Sequence, residues 1–533
     1  MKKLRSVVTC MGVFFFCVCG AFAQSVPAVE QWGRFEFALR GTPIGNPFND
    51  VALEATFTNG GEEVTVNGFY DGGGVYRVRF MPEKKGTWSY ATVSNMPALD
   101  GKTGTFECVN PGTENHGPVK TRGMFDFAYA DGKPYYPFGT TVYAFVHQGD
   151  SLENTTLETL RNAPFNKVRI CVFPKNYEFN DREPEYYPFK RVEGVELIGS
   201  NQTAVWDFTK FDPEFFQHLE KRIDRLNDLG IECDLILFHP YDNGRWGFDR
   251  MTRPNDIRYL EYVTARLASF RNIWWSMANE FDYMKEKTLA DWQAFLETVA
   301  ANDPYGHLRS VHNGDTLFNH HNPLVTHASV QSASMLSDFG RGSLMRDAYL
   351  KPVMFDEVCY EGNIESRWGN LSAREMTHRF WQGALVGAYV THGETYLDPD
   401  DIIWWAAGGV LRGQSPARIG FLRRLIEQET GALHLIDNWR TLNASMGESG
   451  QIVIYFGKET PTEWAVTFPA KIRWADGTQF NVEVIDTWEM TRTPVPGTFT
   501  AQTIARYVIG EADGKKIKLP GKPYQALLIT RVP

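Results

Sequence analysis

The chain has 533 residues, 43% of them hydrophobic and 22% charged, a globular composition with room for two to four domains. Its 54 basic and 64 acidic residues give a formal net charge of −10. Residues 1–23 carry three basic residues and no acid, so without them the balance is 51 − 64 = −13, which argues against nucleic acid or an anionic membrane surface as partner.

Residues 1–23 read as a cleavable signal peptide. Lys2, Lys3 and Arg5 precede an apolar core from Val7 to Val18 that is too short to cross a bilayer. Ala21-Phe22-Ala23 supplies the small residues of a cleavage site, placing the mature start at Gln24. A secreted or periplasmic protein is expected, with an outer-surface lipoprotein, through Cys17 or Cys19, the lesser option. No later segment has the ~18 uninterrupted apolar residues of a membrane span. Three of the seven cysteines leave with this segment. Cys108, Cys171, Cys233 and Cys359 remain without C-x-x-C spacing, so they are read as small packing residues and no metal or other cofactor is expected.

Residues 24–119 form short alternating runs broken by turns. Val51–Phe57, Val64–Tyr70 and Val75–Phe80 alternate, with Asn59-Gly60 and Asp71-Gly72-Gly73-Gly74 between them, which predicts a β-sandwich. From 120 to 431 strands alternate with helices. Asp212 caps a helix with Pro213 at its first position, Phe216, Leu219, Ile223 and Leu226 make its apolar face, and Gly230 ends it. A second helix is predicted over Pro254–Phe270. The pattern predicts eight strands: Tyr136–Phe138, Lys167–Phe173, Asp234–Phe238, Ile273–Ala278, His307–Val311, Val325–Val330, Pro352–Asp356 and Ala388–Thr391. Repeated strand–helix units of this number predict an α/β fold, a (β/α)8 TIM barrel. The stretch Pro174–Phe211 is an insertion after the second strand, either shaping the substrate site or lying over it as a surface loop. Residues 432–533 return to strands, at Gln451–Phe456, Trp464–Phe468, Phe480–Ile485 and Ala526–Thr530, predicting a C-terminal β-sandwich.

Two glutamates stand at strand ends. Asn279-Glu280 follows the fourth strand and Glu357 the seventh, and such ends converge on one face of a barrel. Two carboxyl groups roughly 5–5.5 Å apart can cleave a glycosidic bond with retention, one protonating the leaving oxygen and the other attacking the anomeric carbon. The preceding Asp356 should alternate to the opposite face, which favours a structural role.

Ala278-Asn-Glu after an apolar strand, with Pro352-Val-x-x-x-Glu357 on strand seven, resembles clan A of the glycoside hydrolases, the cellulase-like retaining enzymes. The whole chain also resembles three-domain Bacteroidetes-type glycosidases. That likeness is carried by Gly68-Phe-Tyr-Asp-Gly, Phe138-Gly-Thr-Thr-Val-Tyr, Phe238-His-Pro-Tyr, Tyr360-Glu-Gly-Asn, Thr391-His-Gly-Glu-Thr-Tyr and Asp486-Thr-Trp-Glu-Met. The resemblance implies a carbohydrate substrate, Glu280 as acid/base, Glu357 as nucleophile, Asn279 as the residue bonding the sugar 2-hydroxyl, and Arg169 as the cation that steadies Glu357. His239, His312, His327 and His392 fall near strand ends and suggest a polar rim, although each could equally be a satisfied core histidine. Tyr143 and Tyr241 are rim candidates on the same argument. Glu394 could bind a hydroxyl, raise the pKa of Glu280, or cap a loop. Of Trp404 and Trp405, one should lie under the sugar ring, Trp404 being nearer the strand end. A glycan-binding protein on a non-catalytic barrel, a transglycosidase or an inverting enzyme are the other readings.

Overall fold

The computed structural model describes residues 27–195, 205–331, 339–397, 402–437 and 441–533. The signal-peptide reading therefore falls outside the described residues. At the centre are eight parallel strands: Gly139–Thr141, Lys167–Cys171, Glu232–Phe238, Ile273–Ala278, Arg309–Ser310, Ala328–Gln331, Val353–Glu357 and Tyr389–His392. Neighbours in sequence are neighbours in space, and strand one pairs with strand eight through Gly139↔Thr391 and Thr140↔His392. The sheet's two edges, strands five and six, meet where the Thr326 N–H donates to the Arg309 carbonyl at 2.9 Å and the Arg309 N–H to Thr326 Oγ1 at 2.8 Å. The (β/α)8 barrel is thus formed. Strands two, three, four and seven are buried at every position, as expected for strands covered by side-chain layers inside and helices outside.

The helix over Pro213–Asp228 follows the local chemistry. The Asp212 carboxylate accepts from the Glu214 N–H at 3.2 Å, Pro213 takes the first turn where no N–H is needed, and Phe216, Leu219, Ile223 and Leu226 are buried. Gly230, at φ +68°, reverses the chain into strand three.

Strand one corrects the expectation of Tyr136–Phe138. Pro137 has no N–H to offer, and the Phe138 N–H is taken by Asn166 Oδ1 at 2.7 Å, so ladder pairing begins only at Gly139. There a Cβ would lie 2.7 Å from Thr391 Oγ1, and glycine permits the close approach of strands one and eight. Strand six likewise starts at Ala328 rather than Val325, because the Val325 carbonyl is held by the Lys351 ammonium at 2.6 Å and the Thr326 N–H closes the barrel.

Within the inserted segment Phe189–Arg191 pairs antiparallel with Trp206–Phe211, and Phe189, Trp206 and Phe211 are buried. Flanking sheets brace the barrel on both sides. In the N-terminal sheets, Arg79 reaches across to the Arg266 carbonyl at 2.9 Å and to Glu220 at 2.8 Å, so a buried arginine ties the sandwich to two barrel helices. In the C-terminal sheet, Tyr455 meets His378 and Trp381 of the helix Ala373–Leu385, and Trp488 lies between the guanidinium groups of Arg374 and Arg418, at 4.5 and 4.2 Å.

Candidate active site

The C-terminal ends of the strands surround a cavity of about 650 Å³, within the size range of small-molecule sites. Glu280 and Glu357 both line it, with Asn279, Tyr143 and Tyr241. Glu280 is placed by an unusual turn. The Asn279 N–H still pairs with the Phe238 carbonyl at 2.9 Å, and Glu280 then adopts φ +51°, in the left-handed region that is uncommon for non-glycine residues. The turn is held from ahead, where the Phe281 N–H bonds the His312 carbonyl at 2.9 Å.

On strand seven the register with strand six slips by one residue: Val330 pairs with Phe355 but Gln331 with Glu357. Asp356 is the extra residue of this bulge. Val353 and Phe355 pack outward on the helices and Met354 inward, so alternation along the strand carries Asp356 inward. Counting from Glu357 sends it to the opposite face, and that expectation fails because the bulge turns Glu357 to the same side. Asp356 lies instead inside the barrel, bonded to Lys167 at 2.8 Å and Thr391 at 2.9 Å, while Glu357 emerges in the cavity. Burial pushes the Asp356 carboxyl up, but Lys167 and Arg169 outweigh it and hold the group well below the usual carboxylate range.

The two glutamates sit in different surroundings. Glu280 is 6% exposed. Its carboxylate accepts from Tyr241 hydroxyl, from Gln331 Nε2 at 2.9 Å and from Asn279 Nδ2 at 3.2 Å. Burial, followed by the charge of Glu357, raises its pKa to about 7 despite these donors. Glu357 accepts from the Tyr143 hydroxyl. Arg169 Nη1 stands 4.0 Å from it and His312 Nε2 3.8 Å. Burial drives His312 well below its ordinary pKa, so that histidine is neutral and its contact is not an ion pair. Arg169 is shared: it lies closer to Asp234, at 3.3 Å, and also reaches Asn279 Oδ1 at 3.3 Å.

The remaining candidates divide. Tyr143 and Tyr241 line the cavity, and Tyr143 also donates to Asn279 at 3.2 Å. The four histidines do not line it. His239 takes the Tyr241 N–H on Nδ1 and faces the Phe173 carbonyl through Nε2, both at 3.1 Å, so it shapes the loop that presents Tyr241. His312 lies beneath Glu357 on Ser329. His392 stacks on Phe165 at 4.8 Å, outside the barrel strands. His327 precedes strand six and packs between Phe127 and Trp274, at the opposite end of the barrel. Glu394 is a loop cap, accepting the N–H groups of Arg412 and Gly413, with its pKa raised to about 7 by burial. Trp404 is buried, its indole N–H on Thr140 Oγ1 at 2.9 Å, whereas Trp405 lines the cavity. The two begin a short helix, Trp404–Ala407, where successive side chains diverge, and the nearer one to the strand end turned inward.

Lys175, Tyr177, Asn313, Gln331 and Trp368 also line the cavity and were not foreseen. Gln331 could have been suspected as the residue ending strand six. Lys175, Tyr177 and Asn313 lie on loops and Trp368 in a single 3-10 turn, Arg367–Gly369, whose courses no periodicity reveals.

A family model described as "Apiosidase-like, catalytic domain" matches residues 123–440. The chain belongs to the apiosidase-like family. Models of two domains of unknown function, DUF5060 and DUF5605, match residues 28–95 and 439–530 on either side of the apiosidase-like barrel. A solved structure of a candidate glycoside hydrolase from Bacteroides vulgatus ATCC 8482 is 46% identical, with TM-score 0.92, covering 95% of this chain and 100% of that one. A glycoside hydrolase family 5 structure from the same organism is 14% identical with TM-score 0.56, covering 78% and 93%. Another structure, a glycoside hydrolase, is 15% identical with TM-score 0.55, covering 78% and 97%. The last two share the fold alone. No curated protein matches. The apiosidase-like barrel shares the fold of these glycoside hydrolases.

Proposed function

We propose that this apiosidase-like protein hydrolyses O-glycosidic bonds by double displacement with retention, Glu280 acting as acid/base and Glu357 as nucleophile. The observation that carries the reading is the unequal pair of carboxyls in one cavity. Glu280 is buried among neutral donors with a pKa raised to about 7, suited to holding a proton. Glu357 accepts from the Tyr143 hydroxyl, with the guanidinium of Arg169 4.0 Å away. In the first step Glu357 attacks the anomeric carbon while Glu280 gives its proton to the departing oxygen. In the second, Glu280 takes a proton from water, which displaces Glu357 from the sugar. Asn279, fixed by Tyr143 and Arg169, is set to bond the 2-hydroxyl, and Trp405 to lie against the sugar ring.

The barrel, residues 120–431, is the catalytic unit in this reading, with 24–119 and 432–533 bracing it. The enzyme works outside the cytoplasm after cleavage following Ala23. The family's description makes apiosides the first substrates to try, within the wider class of poly- and oligosaccharides. The test is a screen of apiosides, other aryl glycosides and plant and host glycans with the mature protein, read by proton NMR. Turnover with the first-formed product in the substrate's own anomeric configuration is expected. Inverted product, or no turnover of any glycoside, would overturn the proposal.

A further inference from the structure

The sequence points to Arg169 as the cation of the site, but that guanidinium is already engaged by Asp234 at 3.3 Å and Asp356 at 3.9 Å. Arg169 does not itself line the cavity; among the described residues the cations that do are Lys175 and Arg367. Lys175 follows strand two by way of Phe173-Pro174 and is 2% exposed. Its ammonium lies 4.0 Å from the ring centroid of Tyr143, 4.1 Å from Tyr241, 4.7 Å from Tyr177 and 5.0 Å from Trp405. Aromatic faces stabilise a cation without cancelling its charge, as a carboxylate would. Two of these rings are the tyrosines whose hydroxyls bond the glutamates, Tyr143 to Glu357 and Tyr241 to Glu280. The cage therefore stands against both catalytic candidates at once.

We propose that Lys175 is a positioning residue that sets the proton balance of the glutamate pair in both half-reactions. This rests on the double-displacement reading. Before the first step Glu357 carries the negative charge and Glu280 the proton. As the bond from Glu357 to the anomeric carbon forms and the glycosidic bond breaks, Glu280's proton leaves with the departing oxygen, and the charge passes to Glu280. The pair holds one net negative charge in each state, and a fixed cation caged beside both carboxyls balances it throughout without moving. The titratable and charged groups facing Lys175 are Glu280, Glu357, Cys171, His239 and Arg169, with the caging tyrosines. Burial lowers the pKa of the ammonium, and Cys171, Glu280 and Glu357 oppose that shift.

The test needs no turnover. Carboxyl-13C-labelled glutamate in the mature protein is titrated by NMR, with the two signals assigned from Glu280→Gln and Glu357→Gln. In Lys175→Met both midpoints should rise by about one pH unit, the effect of removing one nearby opposite charge. Lys175→Arg, which keeps the charge, should restore most of the difference. Lys175→Gln is the second neutral variant, and folding of each is checked by circular dichroism. Midpoints unmoved in the folded neutral variants would overturn the proposal. So would a shift in the arginine variant equal to that in methionine. Lack of glycoside turnover by the wild type counts against the hydrolase reading, whereas unmoved midpoints count against Lys175 alone.

Discussion

Replacing Glu280 by glutamine should make the protein more stable while removing its acid. The pKa of this carboxyl is raised from 4.5 to about 7, burial being the main cause. A carboxyl that binds its proton more tightly in the folded state destabilises the fold once the unfolded chain can ionise. The cost is nil below pH 4.5, grows as pH rises from 4.5 to 7, and is constant above. The difference, 7 − 4.5, at 1.36 kcal/mol per pH unit amounts to about 3 kcal/mol. The amide of the Glu280→Gln variant cannot ionise, so that protein is free of this cost. The gain corresponds to roughly 5 °C in the barrel's unfolding temperature. Calorimetry of wild type and Glu280→Gln at a series of pH values measures it. Other groups with midpoints near 6 or 7, such as Asp249, Asp256 and Glu394, are common to both proteins and cancel in the difference. A stability difference that does not change between pH 4.5 and 7, or one in which the variant loses ground as pH rises, would refute the reasoning.

Removing the acid altogether should discriminate between leaving groups. Glu280→Ala should lower kcat/KM on natural glycosides by roughly 10²–10⁴-fold, but far less on activated aryl glycosides that leave without a proton. The wild-type kcat/KM should fall above about pH 7 as Glu280 loses its proton, and that limb should vanish in the variant. Trp405→Ala should raise KM about tenfold with little effect on folding, whereas Trp404→Ala should cost about 3–5 kcal/mol of stability, because only the first faces the cavity. Steady-state kinetics and denaturant melts separate the two. Asp356→Ala leaves Lys167 short of a partner in the barrel interior and should cost about 3–5 kcal/mol, read from the same melts.

The features legible in the sequence are those with a local cause. Helix caps and apolar stripes marked the helix after Asp212, and near-continuous apolar runs marked the buried strands. That Glu280 and Glu357 share one cavity was legible because a barrel brings strand ends to one face, so position along the chain stands in for position in space. Facing is harder to read. His239, His312 and His392 lie near strand ends as expected, yet they support the rim from behind it, and His327 belongs to the barrel's other end because strand six starts three residues late. Asp356 was misplaced because alternation assumes an unbroken ladder, and a bulge leaves no visible mark in the residues that form it. Lys175 had no local signal at all. Its cage is built from rings that follow strands one, two, three and eight, and only closure of the barrel brings them together.

In double displacement, Glu357 should carry the sugar between the two steps. A 2-deoxy-2-fluoro glycoside, built on the sugar that the screen identifies, slows both steps and traps the intermediate when its leaving group is good. Mass spectrometry of the digested adduct should find one glycosyl unit on the peptide containing Glu357. A label on any other residue, or an unlabelled enzyme that turns over the parent glycoside, would contradict it.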